Sequence, residues 1–193
     1  MSMIKKIFGI CIILVVSFLS NAQTSTPNFS LPNVADDGIV SLETYSTYAG
    51  IAVVFTSNVC PYDLYYSARI RDMVTRYQGK IQFILINSHL DAAETTDQMK
   101  VAYGSWNLSI PYLSDKSQIA MGHLGVRKSP EVFLLKKVGE EYKVLYSGAI
   151  DDNPQMPTAV TDSYAMKAID ALLAGQQSSP SNVRAAGCTI RKK

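Results

Sequence analysis

A cysteine followed by proline stands after an apolar run in the first third of the chain. Cys60 precedes Pro61, and a hydroxyl residue, Ser57, lies three positions before the cysteine. Because proline fits the first turn of a helix, the pattern predicts that Cys60 lies at or beside a helix N-cap. The helix dipole and free backbone N–H groups stabilise a thiolate there and lower the cysteine pKa. Cys60 is therefore a candidate nucleophile; the alternative is a small side chain buried under the helix.

A second cysteine, Cys188, lies in the C-terminal tail, and the third, Cys11, lies in the N-terminal apolar run. A Cys60 thiolate that attacks a peroxide becomes a sulfenic acid, which a second thiol converts to a disulfide. Cys188 on a mobile tail can be that resolving thiol, within the chain or from a partner subunit. A structural Cys60–Cys188 disulfide and an unpaired Cys188 are the alternatives, and the sequence does not separate the three.

The N-terminus has the pattern of a signal peptide. Two lysines precede the apolar run 7–19, which is too short to span a bilayer, and Ser20-Asn21-Ala22 supplies small residues for cleavage. We expect residues 1–22 to be the signal peptide, 23–175 the folded domain, and 176–193 a tail that carries Cys188. The protein would then be exported, periplasmic or otherwise extracytoplasmic, with no stable membrane anchor after cleavage.

Charge and motif content argue against several function classes. Cleavage would remove two of the 18 basic residues and none of the 16 acidic ones, so the remaining chain is nearly neutral and nucleic acid is not an expected partner. The chain has no ligand-spaced metal cluster and no glycine-rich phosphate loop. The two histidines, His89 and His123, allow a cysteine–histidine hydrolase in principle. Neither has a supporting motif, and surface or half-buried positions are expected for both.

Hydrophobic periodicity predicts the elements that must position Cys60. A buried strand precedes it and a helix follows it, and Asp91 with Glu94 resembles a capping box that opens the next helix. Alternating strands and helices followed by a hairpin indicate an α/β fold. The predicted strands are 39–42, 51–55, 81–86, 111–113, 131–137 and 142–147; the predicted helices follow 61, run from 91 toward 103, include 119–124, and follow 161 or 162.

Several segments, in order, resemble the redoxin group of the thioredoxin superfamily. That group includes the alkyl hydroperoxide reductase and thiol-specific antioxidant proteins (peroxiredoxins) and exported thioredoxin-like reductases. The resemblance covers most of the chain after residue 22 and implies a thioredoxin-like fold, an α/β fold with a central mixed β-sheet flanked by helices. The segments that carry it are 27–32, 51–55, 57–61, 129–134, 146–152 and 187–190.

The resemblance implies roles for individual residues. On the peroxiredoxin pattern Cys60 is the peroxidatic thiol and the Ser57 hydroxyl helps to orient the peroxide, although a plain capping role also explains a serine there. One thioredoxin-like bacterial subfamily usually has Cys-x-x-Cys-Pro at this turn. Because Ser57 stands where its first cysteine would be, a dithiol of that kind cannot form here.

The segment before the predicted strand 131–137 resembles the place where this fold puts a cis-proline beside its active site. The resemblance implies that Pro130 is cis and that Ser129 offers its backbone to a substrate strand. Arg127 lies just upstream, and its guanidinium would stabilise a nearby thiolate. A surface arginine is the alternative for Arg127.

The leading functional hypothesis is an exported, peroxiredoxin-like antioxidant or oxidoreductase that uses Cys60 and takes electrons from another thiol protein. The expected partners are a peroxide or a thiol or disulfide protein, and no organic cofactor or metal is expected. Two alternatives stay open. One is a single-cysteine thiol–disulfide oxidoreductase that acts through mixed disulfides. The other is a degenerate redoxin that binds proteins or peptides without catalysis.

Overall fold

The computed structural model describes residues 24–193, so the predicted signal peptide lies outside the described residues. No helix within 24–193 is long and apolar enough to cross a membrane. The elements are strands β1 (Ser25–Thr26), β2 (Ser30–Pro32), β3 (Ile39–Ser41), β4 (Gly50–Phe55), β5 (Ile81–Asn87), β6 (Tyr112–Ser114), β7 (Lys128–Ser129), β8 (Glu131–Val138), β9 (Glu141–Gly148), β10 (Asn182–Val183) and β11 (Cys188–Thr189); α-helices α1 (Pro61–Arg76), α2 (Thr96–Trp106), α3 (Ile119–Leu124) and α4 (Tyr164–Leu173); and 3-10 turns at Leu42–Tyr45, Ala92–Glu94 and Pro157–Ala159.

The main sheet is mixed, as predicted. Its order is β1-β9-β8-β4-β5-β6, and β10 also pairs with β9. Strands β4, β5 and β6 run parallel, whereas β8 is antiparallel to β4 and β9 is antiparallel to β8. This confirms the predicted α/β architecture, in which two strand–helix units are followed by a hairpin.

The central strand β4 is buried on both faces of the sheet. All six of its residues are buried, and its side chains alternate between two apolar clusters. Ala52 and Val54 face the cluster formed with α1, α2 and α4. Ile51, Val53 and Phe55 face the cluster formed with α3 and the small β2–β3 sheet. The continuous apolar run in the sequence is therefore the signature of a strand buried from both sides.

Helix α1 carries the candidate nucleophile at its start. Tyr66, Ile70 and Met73 recur at helical spacing and are buried against the sheet. Pro61 occupies the first helical position, and the helix ends at Arg76. Since β4 and α1 are joined by only five residues, 56–60, the start of α1 is held at the carboxyl end of β4.

Two expectations about the segment before α2 were wrong. The helix was expected to run from residue 91, and Asp91 with Glu94 was expected to form its capping box. Helix α2 begins at Thr96, and the Thr95 hydroxyl accepts a hydrogen bond from the Gln98 N–H at 3.3 Å. The predicted capping box does not form, because Glu94 is 1% exposed and its carboxylate turns inward. There the carboxylate accepts hydrogen bonds from three groups, whereas a capping box would give it only one.

The C-terminal segment is not a loose tail. Strand β10 pairs with β9, and β11 pairs with the two-residue strand β7. Ala185 and Ile190 are buried, Ile190 within the cluster on the α3 side of the sheet. These scattered apolar residues are too few for a periodic pattern, so the sequence did not reveal that the segment packs.

Candidate redox-active cysteine site

Cys60 is the N-cap residue of α1 and is 3% exposed. Its backbone is extended, and its carbonyl accepts hydrogen bonds from the N–H groups of Asp63 (3.0 Å) and Leu64 (3.3 Å). The position is the one that the Cys-Pro pattern predicts. The positive end of the helix dipole lies beside the sulfur, and this favours a thiolate whenever Cys60 is reduced.

In the structure Cys60 forms a disulfide with Cys188, with the two Cα atoms 6.0 Å apart. The sequence left three states of Cys188 open, and this pairing removes the unpaired one. It also replaces the expected mobile tail, because Cys188 lies on β11 and is only half-exposed. The structure therefore represents an oxidised form in which neither sulfur is a thiolate.

Strand β7 holds Cys188 in place. Cys188 lies opposite Ser129 in the antiparallel register, and the Ile190 N–H donates to the Arg127 carbonyl at 2.9 Å. The Ser129–Pro130 peptide bond is cis, as the resemblance implied. The Cys60 sulfur lies 3.6 Å from the Ser129 carbonyl oxygen. The backbone of Ser129 thus meets both the nucleophile and the strand that carries its disulfide partner.

Gly187 lies against the same backbone. A β-carbon at this position would stand 2.7 Å from the Ser129 carbonyl carbon and closer still to its oxygen, and real β-carbons essentially never approach that closely. The requirement is steric, since both neighbouring atoms belong to the main chain and cannot rotate away. Glycine directly before Cys188 is what lets β11 lie flat on β7.

The turn before Cys60 is organised by a buried carboxylate that sequence reasoning assigned to a helix cap. The Ser57 hydroxyl donates to Glu94 and accepts from the Cys60 N–H at 3.0 Å. The other Glu94 oxygen accepts from the Asn58 N–H at 3.0 Å and from the Asn87 side chain at 2.7 Å. Ser57 is therefore engaged on both its donor and its acceptor side.

Asp63 is a second buried carboxylate, one turn into α1 and 2% exposed. Burial raises its pKa to about 7, although the Thr56 hydroxyl, which donates to it at 2.7 Å, acts in the opposite direction. Its other oxygen has no hydrogen-bond partner among residues 24–193. The sequence Cys-Pro-Tyr-Asp contained this residue, but nothing in its spacing showed that the side chain would face inward.

His89 is buried, contrary to the surface or half-buried position expected for it. Its Nε2 atom lies 2.8 Å from the Ser129 hydroxyl, so the ring is hydrogen-bonded to a side chain of strand β7. Burial lowers the His89 pKa. The His89 carbonyl accepts from the Lys116 ammonium at 2.9 Å, and burial lowers the Lys116 pKa to about 8. The only sequence signal for His89 was its place at the end of a buried parallel strand.

Arg127 is exposed, and its guanidinium makes no hydrogen bond or ion pair with any of residues 24–193. It contributes its backbone to the β7–β11 pairing instead. Arg69 on α1 is likewise directed elsewhere, because it pairs with the buried Asp151 and with the backbone that follows it. His123 lies exposed on α3. Over residues 24–193 no group of three or more histidine, cysteine or acidic side chains is placed to hold a metal ion.

Three residues close in sequence to Cys60 or His89 have exposed apolar side chains. Val59 directly precedes Cys60 and is 56% exposed, and Leu64 in the first turn of α1 is 65% exposed. Leu90 follows the buried His89 and is 41% exposed. Apolar groups at such positions suit contact with a polypeptide better than contact with a small polar oxidant.

Comparison with known proteins identifies the class of fold. No protein-family model matches the chain, and no curated protein matches it significantly. Among solved structures, an uncharacterized conserved protein from Geobacillus kaustophilus is 26% identical, with a TM-score of 0.79, over 89% of this chain and 92% of that one.

Two further structures have a stated redox chemistry. The peroxidoxin BcpB from Mycobacterium tuberculosis is 15% identical with a TM-score of 0.59, over 79% of this chain and 96% of that one. A secreted disulfide oxidoreductase from the same organism is 13% identical with a TM-score of 0.51, over 76% and 95%. At these identities the likeness shows the fold alone. The fold is thioredoxin-like, as the sequence resemblance predicted.

Proposed function

We propose that this protein is a thiol–disulfide oxidoreductase in which Cys60 and Cys188 cycle between a dithiol and a disulfide. The observation that carries the proposal is the bond between a cysteine at a helix N-terminus and a cysteine held on the strand beside Ser129. The two sulfurs thus have unequal environments, since only Cys60 has the helix dipole to stabilise its thiolate.

The proposed cycle balances with a protein partner. The Cys60 thiolate attacks a partner disulfide, which forms a mixed disulfide and releases one partner thiolate. The Cys188 thiolate then attacks the Cys60 sulfur, releases the second partner thiolate and closes the internal disulfide. Two electrons have passed to the partner, and a dithiol protein returns the pair to its reduced form. Cys188 takes the resolving part for which sequence reasoning made it a candidate.

A peroxidase is the second candidate, because the observed Cys60–Cys188 disulfide is also the end product of peroxide reduction by these two thiols. Attack of the Cys60 thiolate on a peroxide breaks the O–O bond, forms a sulfenic acid and releases an alcohol or water. Condensation of the sulfenic acid with Cys188 then releases water and ends at the same disulfide. Two observations weigh against it. The Ser57 hydroxyl is hydrogen-bonded to Glu94 and to the Cys60 N–H, and no arginine side chain among residues 24–193 forms a hydrogen bond with Cys60.

We also propose that the protein works outside the cytoplasm. The predicted signal segment 1–22 supports this, as does a disulfide, since disulfides persist in oxidising compartments. The secreted disulfide oxidoreductase that shares the fold is a further, weaker support.

The test is a redox titration of the chain without residues 1–22. In glutathione and dithiothreitol buffers, alkylation of Cys60 and Cys188 followed by mass mapping gives the midpoint potential. We expect a value within the range of exchange proteins, about −120 to −270 mV. A value below about −300 mV would indicate a structural disulfide and leave the binding-module alternative.

A parallel reaction separates the two chemistries. The reduced protein is exposed to one equivalent of hydrogen peroxide or of a protein disulfide, with Cys60→Ser and Cys188→Ser as controls. Thiol–disulfide exchange predicts fast formation of the internal disulfide with the protein disulfide and slow formation with peroxide. The reverse order, with a sulfenic acid trapped on Cys60 in the Cys188→Ser variant, would make the peroxidase the correct function.

A further inference from the structure

The C-terminal strand occupies the site in the manner of a bound polypeptide. Its covalent link to the site is the Cys188 sulfur, and its other ties to β7 are main-chain hydrogen bonds such as Ile190 to Arg127. Main-chain pairing does not depend on side chains, so another extended segment can form the same ladder when β11 is displaced. Reduction of the disulfide removes the covalent tie that keeps β11 there.

The geometry also says what such a segment must contain. The residue before its cysteine must be glycine, because the Ser129 carbonyl fills the place of a β-carbon. The residue after the cysteine is unconstrained, since Thr189 is exposed. The second residue after it must be apolar, since Ile190 is 3% exposed in the cluster that also contains Met121 and Val126.

We infer that the reduced protein recognises its disulfide partner as an extended segment of sequence Gly-Cys-x-apolar, and that residues 187–190 are an internal copy of this client. The inference rests on the proposed function and names the substrate of the same site. A client segment pairs with residues 127–129, presents its cysteine sulfur to Cys60, and places its apolar side chain where Ile190 lies. The chain's own strand competes with the client until it returns as the resolving thiol.

The test measures one covalent step on the full chain without its predicted signal segment. The Cys188→Ser variant, reduced, is mixed with a peptide of residues 184–193 whose cysteine carries a thionitrobenzoate group. The Cys60 thiolate attacks the peptide sulfur, the peptide–thionitrobenzoate bond breaks, and the electron pair leaves with the coloured thionitrobenzoate anion. Its absorbance gives the rate of formation of the Cys60–peptide disulfide.

Three altered peptides provide the comparison. Peptides with Gly187→Ala or Ile190→Asp should react about tenfold or more slowly, because one clashes with main-chain atoms and the other puts a charge in an apolar pocket. The Thr189→Ala peptide is the matched control and should react at the rate of the parent. The Gly187→Ala change in the Cys188→Ser protein should speed the parent peptide, because it weakens the competing strand.

Each other outcome has a defined meaning. Equal rates for all four peptides, with normal reaction of a small aromatic disulfide, would overturn the client sequence and leave the oxidoreductase intact. No reaction of Cys60 with peptide or small disulfide would refute the proposed function itself. Disulfide-linked dimers of the unaltered chain that increase with its concentration would overturn the inference in favour of the tail of a second copy as the occupant.

Discussion

Replacement of Asp63 by asparagine should stabilise the protein at neutral and alkaline pH and have little effect in acid. Asp63 is 2% exposed, and its pKa is raised from 3.8 to about 7 because burial penalises the charged form. Asparagine has nearly the same shape, can still accept the hydrogen bond from Thr56, and carries no charge at any pH.

The sign follows from proton binding. Between pH 3.8 and about 7 the folded state holds a proton on Asp63 that the unfolded state has lost, so stability falls as the pH rises. Above about pH 7 both states are charged, and the full cost of burying the carboxylate is present. At 1.36 kcal/mol for each pH unit between the two pKa values, that cost is roughly 4 kcal/mol.

The assay is urea unfolding of the oxidised wild type and the Asp63→Asn variant at about pH 4, 6 and 8. The difference between their free energies of unfolding should grow in favour of the variant across that range, toward a few kcal/mol at the alkaline end. Asp72→Asn is the matched control, because Asp72 is exposed on the same helix and its replacement removes one carboxylate without touching the buried site. Subtracting the wild-type free energy of unfolding from that of the variant cancels the contribution of every other titrating group, because both proteins contain those groups.

A flat difference between Asp63→Asn and wild type would refute the reasoning, as would a variant that loses stability relative to wild type as the pH rises. Either result would mean that Asp63 is ionised in the folded protein at acid pH. A carbon NMR titration of the Asp63 carboxyl carbon checks the same point without unfolding and should have its midpoint near pH 7.

Three further predictions concern the turn and the C-terminal segment. Reduction of the disulfide, or the Cys188→Ser change, should lower the free energy of unfolding by up to about 5 kcal/mol, from the chain entropy of a loop of 128 residues; unchanged denaturant midpoints would contradict this. The Glu94→Ala change should loosen the turn that Ser57 and Asn58 form, and should slow alkylation of reduced Cys60 several-fold at neutral pH, whereas an unchanged rate would show that the carboxylate does not position the nucleophile. The Gly148→Ala change should detach β10, because a β-carbon there would meet the Val183 main chain and the backbone has φ of +126°; hydrogen exchange at 182–183 that stays slow would disprove it.

The parts of the fold that the sequence predicted are those governed by local periodicity. The β4 run, the helix after Pro61 and the 131–147 hairpin each carry a pattern that extends over several residues. The start of α1 was predictable because a single proline restricts it. Failures came where one polar residue had two possible partners. Asp91 and Glu94 fit a capping box by spacing, but a buried carboxylate gains three donors beneath the Cys60 turn instead.

The placement of Cys188 shows why the remaining half of the site was not predictable. Cys188 lies on a two-residue strand that pairs with another two-residue strand more than 50 positions earlier in the sequence. The close approach of these two strands depends on the glycine at position 187. None of these features produces a periodic signal. Since Ser57 has no sulfur and is held by Glu94, an internal disulfide of Cys60 needs a thiol from a distant part of the chain. The same strand that supplies this thiol covers the β7 edge. In the proposed cycle, therefore, the internal disulfide closes as the client leaves that edge.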